Sequence, residues 1–211
     1  ILKGCTIVFQ NGFGNLISFF ETLEKYNGTV ISTVPAGIEF LVKLTKDKIS
    51  NYSSQIRMIE LGSSPMSPES KIALTNLLPK TDICMHYGLT EASRSTFLNF
   101  QKDSEFIGSV GKANLGTEII IVDEVGNKCK YNESGEICIK GTNLFSNYIF
   151  TNKEPEYYKE FFKTGDYGYL DKNGYLFFKG RKDEMMNIAG KKVSPLEIEK
   201  NINNISFIDD S

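Results

Sequence analysis

Histidine is almost missing from this chain. A single one, His86, stands among 211 residues, so no metal site can be built on clustered imidazoles. The four cysteines, Cys5, Cys84, Cys129 and Cys138, lie far apart and have no histidines beside them to complete a zinc site. They read as reduced thiols in or near the core. No apolar run approaches the ~20 residues needed to cross a bilayer, and Ile1-Leu2-Lys3-Gly4-Cys5 lacks the layout of a secretory signal, which makes the cytoplasm the expected compartment. Neither sign of charge is in excess. With 24 basic and 26 acidic residues, nothing steers the surface toward nucleic acid or anionic lipid. Internal repeats and low-complexity segments are also absent.

What remains is an ordinary globular composition, 40% hydrophobic and 24% charged, sufficient for one large domain or two small ones. Residues 5–9 and 29–34 are strand-like apolar runs. Between them, Ile17, Phe20, Leu23 and Glu24 are spaced as on an amphipathic helix over 17–25, and strand, helix, strand predicts a parallel unit. Pro35 opens a helix to about Leu44, residues 56–61 read as a buried strand, Ser67-Pro68-Glu69 caps a helix, and residues 83–86 form a short strand. From about Gly108 the pattern changes to short strands over 118–123, 135–140 and 175–179. These are separated by the turn signals Glu124-Val125-Gly126-Asn127 and Asp171-Lys172-Asn173-Gly174. Residues 184–193 then suggest a hairpin, and Ser194-Pro195-Leu196-Glu197 a capped helix. The expected class is α/β: a parallel-sheet subdomain over 1–107, a small distorted antiparallel β-barrel over 108–180, and from 181 to 211 a hinge with the start of a C-terminal α+β domain. Ile1 opens in mid-pattern, and Asp209-Asp210-Ser211 cuts off the last helical pattern; both ends predict a piece of a longer protein.

Four short patterns carry the chemistry, and each has an ordinary structural explanation beside the functional one. Tyr87-Gly88-Leu89-Thr90-Glu91 follows a strand, where ligands collect in open α/β sheets. Tyr87 can stack on a base, Gly88 allows close backbone approach, Thr90 can donate to a phosphate oxygen, and Glu91 is a hard oxygen ligand suited to Mg²⁺. A plain strand-to-helix turn explains the same residues. Gly62-Ser63-Ser64-Pro65 also follows a strand and leaves room for a planar ring, or is simply a loop. Asp166, beside Gly165 and ahead of a strand at 167–170, can accept both ribose hydroxyls, or make an Asx turn. Arg181 can reach ribose or phosphate oxygens, or pair with Asp183 or Glu184 at the surface.

In this order the patterns resemble those of the adenylate-forming superfamily of acyl-CoA synthetases, luciferases and peptide-synthetase adenylation domains. Gly62-Ser63-Ser64-Pro65 is similar to its adenine loop and Tyr87-Gly88-Leu89-Thr90-Glu91 to its Tyr-Gly-x-Thr-Glu motif. Residues 135–141 with Tyr148 resemble its Gly-Glu-(Leu/Ile)-x-(Ile/Val)-x-Gly run, Thr164-Gly165-Asp166 its Thr-Gly-Asp, and residues 180–199 its hinge block. The resemblance covers nearly the whole chain. It implies an ATP-dependent, AMP-forming ligase that activates a carboxylic acid with Mg²⁺ and passes the acyl group to coenzyme A, or alternatively to a carrier-protein thiol; a non-catalytic nucleotide-binding remnant is the other alternative. It also implies that Gly62, Ser63, Ser64 and Pro65 line the adenine pocket with His86 as a neighbour. Tyr87 and Gly88 then lie against the base, Thr90 at the α-phosphate, Glu91 on Mg²⁺, Asp166 on the ribose and Arg181 on ribose or phosphate, with Asp183 as the hinge. Residues 190–199 are closer to acyl-CoA synthetases than to peptide-synthetase domains.

The departures are specific. The family's Ser/Thr/Gly-rich phosphate loop with its lysine is not among these residues, and Asn11-Gly12-Phe13-Gly14-Asn15, lacking lysine and hydroxyls, reads as a loop. The family's C-terminal lysine is expected beyond Ser211, and Asn147 replaces the usual glycine before Tyr148. By the resemblance, these residues alone retain nucleotide contacts but not turnover. Phe97, Phe100 and Phe106 could floor an acyl pocket, but such spacing more often fills core.

Overall fold

Asn15 starts the first helix by accepting a hydrogen bond from the Ser18 amide through its side chain, at 3.0 Å. The computed structural model describes residues 4–10, 12–149, 154–189, 191–203 and 205. The chain divides into two units, Ile1–Met85 with Asn99–Ile107, and His86–Leu98 with Gly108–Ser211. Strands β3 and β4 each contribute residues to both.

In the first unit, helix α1 (Leu16–Lys25) is followed by β1 (Val30–Thr33), α2 (Pro35–Thr45), β2 (Met58–Leu61), α3 (Pro68–Leu77) and β3 (Asp82–Tyr87). The three strands are parallel: Ile31 pairs with Ile59 and Leu61 with Met85. Their Ile59, Leu61 and Ile83 side chains, with Ile38 and Leu41 of α2 and with Ile49 and Ile56, are fully buried. α3 begins as expected, with Ser67 accepting from the Ser70 amide at 3.0 Å and Pro68 in the first turn. Of the aromatic trio, Phe100 is fully buried in this unit and Phe106 half-buried; Phe97, half-buried, belongs to the other.

Two expectations here are corrected. Residues 5–9 form no strand; Phe9 is 90% exposed, and no ladder partner is present among the described residues, without which a β-prone run has no hydrogen bonds to form. Cys5 is therefore exposed, whereas Cys84 and Cys129 are half-buried and Cys138 is buried; all four are free thiols. The parallel crossover is β1–α2–β2, not one that starts at residues 5–9. On α1, Ile17 lies outside the apolar stripe at 71% exposure. The covered stripe is Leu16, Phe19, Phe20 and Leu23, an i, i+3, i+4, i+7 set offset by one residue from Ile17. Phe19 wins because it is held edge-on between Phe13 and Phe20, at 5.1 and 5.2 Å between ring centroids. Asn11 of the proposed loop lies outside the described residues, while Gly12-Phe13-Gly14-Asn15 does form turn and cap.

In the second unit, β4 (Thr96–Asn99) pairs with β5 (Lys112–Ala113). A curled antiparallel half-barrel follows, of β6 (Thr117–Val122), β7 (Gly135–Gly141), β8 (Tyr157–Tyr158), β9 (Phe161–Leu170) and β10 (Leu176–Arg181). Its order is β10-β9-β7-β6, with β8 also on β9. Both faces bury apolar side chains. Ile121, Ile137, Ile139 and Leu176 cluster on one, and Ile120, Val122 and Cys138 on the other, as period-2 alternation requires. Both predicted turns are tight and closed by aspartates. Asp123 accepts from the amides of Val125 and Asn127, and Asp171 from those of Asn173 and Tyr175. The chain continues into the hairpin β11 (Met186–Ile188) and β12 (Lys191–Val193), then α4 (Pro195–Asn203), whose cap is Ser194, its hydroxyl accepting from the Glu197 amide at 3.1 Å.

The first unit carries one unusual charge. Lys71, on α3, is 3% exposed; its ammonium donates to the Ile107 carbonyl at 2.8 Å and lies 5.6 Å from the centre of the Phe100 ring. Burial lowers its pKa from 10.5 to about 8. The unfolded chain keeps this proton up to its higher pKa, whereas the folded chain releases it near pH 8, so the unfolded state binds more protons in between and stability rises with pH over that window. Denaturant midpoints measured between pH 8 and 10 are expected to climb in the wild type and to lose this climb in Lys71→Met. Equal pH dependence in both proteins would contradict the assignment.

Candidate functional site

Asp166 is the centre of the best-defined polar cluster. It occupies the middle of β9, not the loop before a strand at 167–170: β9 begins at Phe161 and runs through it. The ladder with β7 is irregular here. Glu136 pairs with Tyr167 and Cys138 with Lys163, leaving Gly165 in the left-handed region at φ 73°. The alternation of β9 carries through this irregularity, so Thr164 and Asp166 stay on the buried side with Phe162. Thr164 donates its hydroxyl to the Ile137 carbonyl at 2.8 Å and accepts from the Asp166 amide at 3.0 Å. Asp166 is 3% exposed. Its Oδ2 accepts from the Tyr87 hydroxyl at 2.6 Å and its Oδ1 from Arg181 Nη1 at 2.8 Å. The Asx-turn reading is therefore set aside.

The electrostatics follow from that burial. Desolvation raises the Asp166 carboxyl above the usual range, while the Tyr87 hydroxyl and the Arg181 guanidinium pull it back. The Tyr87 phenol is raised well above its normal value, by burial first and then by the neighbouring carboxylate. Burial works against the charge of Arg181, but Asp166 outweighs it and the guanidinium is held more firmly protonated than usual. A carboxylate offers about four lone-pair positions, and two here are taken by protein. One acceptor position per oxygen remains, which suits a pair of neighbouring hydroxyls.

Glu91 lies in the loop after β3. Its Oε1 accepts from the Tyr148 hydroxyl at 2.9 Å, and Tyr148 packs edge-on against Phe145 at 4.8 Å. Thr90 is exposed. Gly88 is required by the loop itself, since a Cβ there would lie 2.5 Å from the Arg94 amide nitrogen and 2.8 Å from the Ala92 carbonyl oxygen. Leu89 and Ala92 exchange backbone hydrogen bonds across the turn, and the Ser95 amide donates to the Tyr87 carbonyl at 2.8 Å. The half-buried ring of His86 faces Phe97, 5.9 Å between centroids.

Two further sites are placed separately. Gly62-Ser63-Ser64-Pro65 leaves β2 at its carboxyl end, in the first unit, with Gly62 buried and the other three exposed. Ser63 takes φ 74°, a left-handed conformation that costs a non-glycine residue about 1–2 kcal/mol. Asp183 is exposed in the turn between β10 and β11, its Oδ1 3.8 Å from Arg181 Nε. The Arg181–Asp183 pairing thus exists alongside the one with Asp166. Two partnerships were not anticipated. The motif match gives Tyr148 no role, and it contains Glu136 as a carboxylate directly ahead of the apolar Ile137-Cys138-Ile139, a signal that points to it.

A family model described as "AMP-binding enzyme" matches residues 1–149. Over 212 residues the chain is 31% identical to the 2-succinylbenzoate–CoA ligase of Enterococcus faecalis, covering 99% of this chain and 42% of that protein. Two solved structures of the o-succinylbenzoate CoA synthetase of Bacillus subtilis are similar at 26% identity. The complex with an acyl-adenylate intermediate has a TM-score of 0.81, covering 93% of this chain and 40% of that one. The complex with ATP and magnesium ion has 0.76, covering 90% and 39%. The chain thus spans about two-fifths of the length of such relatives. With the family model matching most of its residues, and its fold shared with solved relatives, the chain belongs to the AMP-binding, adenylate-forming enzymes.

Proposed function

We propose that the whole protein is an AMP-forming acid–thiol ligase. The carboxylate of the acid attacks the α-phosphorus of ATP, the bond to the β-phosphate oxygen breaks, and acyl-adenylate and pyrophosphate result. A thiol, most simply that of coenzyme A, then attacks the acyl carbon and AMP leaves. The observation that carries this reading is Asp166: a buried carboxylate held by Tyr87 and Arg181 with acceptor capacity to spare, in a chain whose relatives include a CoA ligase solved with an acyl-adenylate. A cytoplasmic location is part of the same proposal.

The remaining roles are part of the same proposal. Asp166 accepts the ribose hydroxyls and Arg181 donates to ribose or phosphate. Contact with the adenine is assigned, by the family resemblance, to Tyr87 and Gly88, to Gly62, Ser63, Ser64 and Pro65, and to His86 as a neighbour of the base. Thr90, exposed in its loop, donates to the α-phosphate. Among the described residues no cluster of three or more His, Cys, Asp or Glu could cage a metal. One hard carboxylate, Glu91, fits Mg²⁺, which keeps most of its waters and takes its other ligands from substrate phosphates. When bound, that ion neutralises phosphate charge, and Tyr148 holds the Glu91 side chain in place for it. Positioning and charge stabilisation supply the catalysis, without a covalent enzyme intermediate. Asp183 is the hinge between residues 1–180, in subdomains 1–107 and 108–180, and a C-terminal domain that begins at 181.

Pyrophosphate exchange by the whole protein across a panel of carboxylic acids tests the reading, followed by acyl transfer to coenzyme A in comparison with a carrier-protein thiol. Exchange is expected with at least one acid. Glu91→Ala is expected to lower it about 100-fold or more. Asp166→Ala should raise the KM for ATP about tenfold or more, from the ~1.5–3 kcal/mol carried by hydrogen bonds to a charged group. Wild-type exchange in both variants would overturn these roles. The Tyr87 hydroxyl also favours the ionised form of Asp166, so in Tyr87→Phe the acid limb of ATP binding is expected to move to higher pH. An unmoved limb would dissociate Tyr87 from that carboxylate.

A further inference from the structure

Glu136 is a buried carboxylate that the proposed chemistry does not use. Its side chain is 9% exposed, and its Oε2 accepts from Lys182 Nζ at 2.6 Å, with Lys163 Nζ at 3.6 Å; Lys163 in turn is 2.9 Å from Glu156. Lys182 directly follows Arg181, which pairs with Asp166 at 2.8 Å.

The two carboxylates lie on opposite faces of the half-barrel. Glu136 alternates in register with Cys138, which belongs to the cluster of Ile120 and Val122. Asp166 meets Tyr87, which packs against the cluster of Ile121, Ile137 and Leu176. Successive side chains of an extended strand point to opposite faces. Arg181 and Lys182 therefore close on the sheet from both sides at the point where β10 ends, each on a carboxylate less than one-tenth exposed. The backbone there is irregular. The β10–β9 register shifts between Phe178 and Gly180, and past Arg181 the ladder continues only through the Lys182 amide, which donates to the Gly165 carbonyl at 2.8 Å. Gly165 directly precedes Asp166, in the irregular stretch of the β9–β7 ladder.

We propose that Glu136 and Lys182 are positioning residues for the nucleotide site: their ion pair fixes the end of β10 and the Gly165 bulge, and so holds Arg181 and Asp166 in the geometry that receives ribose. This rests on the nucleotide reading above. It differs from a purely stabilising pair in what it moves, because the effect is specific to ATP and independent of the acid.

The test is steady-state pyrophosphate exchange by the whole protein, with KM for ATP and for the acid measured separately, together with melting temperatures. Lys182→Met and the isosteric Glu136→Gln are each expected to raise the KM for ATP about tenfold, within the range of coupling found for neighbours in one ion-pair network, and to leave the KM for the acid unchanged. Lys182→Arg, which keeps the cation, is expected to restore the wild-type value. Unchanged KM for ATP in both variants, a parallel rise for ATP and acid, or a lowered melting temperature alone would overturn the proposal while leaving the nucleotide reading intact. A wild-type protein with no ATP-dependent exchange for any acid, and no binding of AMP, would overturn both.

Discussion

A negative charge kept out of water at Asp166 is the constraint around which the half-barrel is arranged. A buried carboxylate is tolerable only when donors meet it, and here they come from distant parts of the chain: Tyr87 from the end of β3 and Arg181 from the end of β10. Neither donor satisfies it fully. The carboxyl stays raised by desolvation despite both. Because the two donors arrive from elements far apart in sequence, the loop after Tyr87 and the turn after Arg181 are tied to the same point, and with them Glu91 and Asp183.

An irregularity of the β9–β7 ladder at Gly165 lies beside these groups. The strand's alternation carries through it, so Thr164 and Asp166 stay on the buried side and are bonded to one another and to β7. Gly88 shapes the loop after β3, where only a residue without a side chain allows the turn to close on Arg94 and Ala92. Two glycines, far apart in sequence, thus lie in the backbone that presents Tyr87, Glu91 and Asp166.

Local chemistry was legible in the sequence, and long-range partnership was not. The caps at Ser67 and Ser194 and the aspartate-closed turns at Asp123 and Asp171 depend on residues within a few positions of one another, and each stands where its pattern placed it. Residues 5–9 read as a strand because their side chains suit one, yet a strand also needs a neighbour, which composition does not supply. The motifs single out Asp166 and Arg181 one at a time. Their pairing could not be read there, nor could the partnership of Glu136 with Lys182, because each joins residues whose approach is decided by sheet register.

The most direct test of the account compares ATP with 2′,3′-dideoxy-ATP in binding to the whole protein, for the wild type and for Asp166→Ala. If the free acceptor positions of Asp166 take the ribose hydroxyls, the wild type binds the dideoxy nucleotide about tenfold or more weakly, and the variant loses that preference. Equal discrimination between the two nucleotides in wild type and variant would contradict the account at its centre.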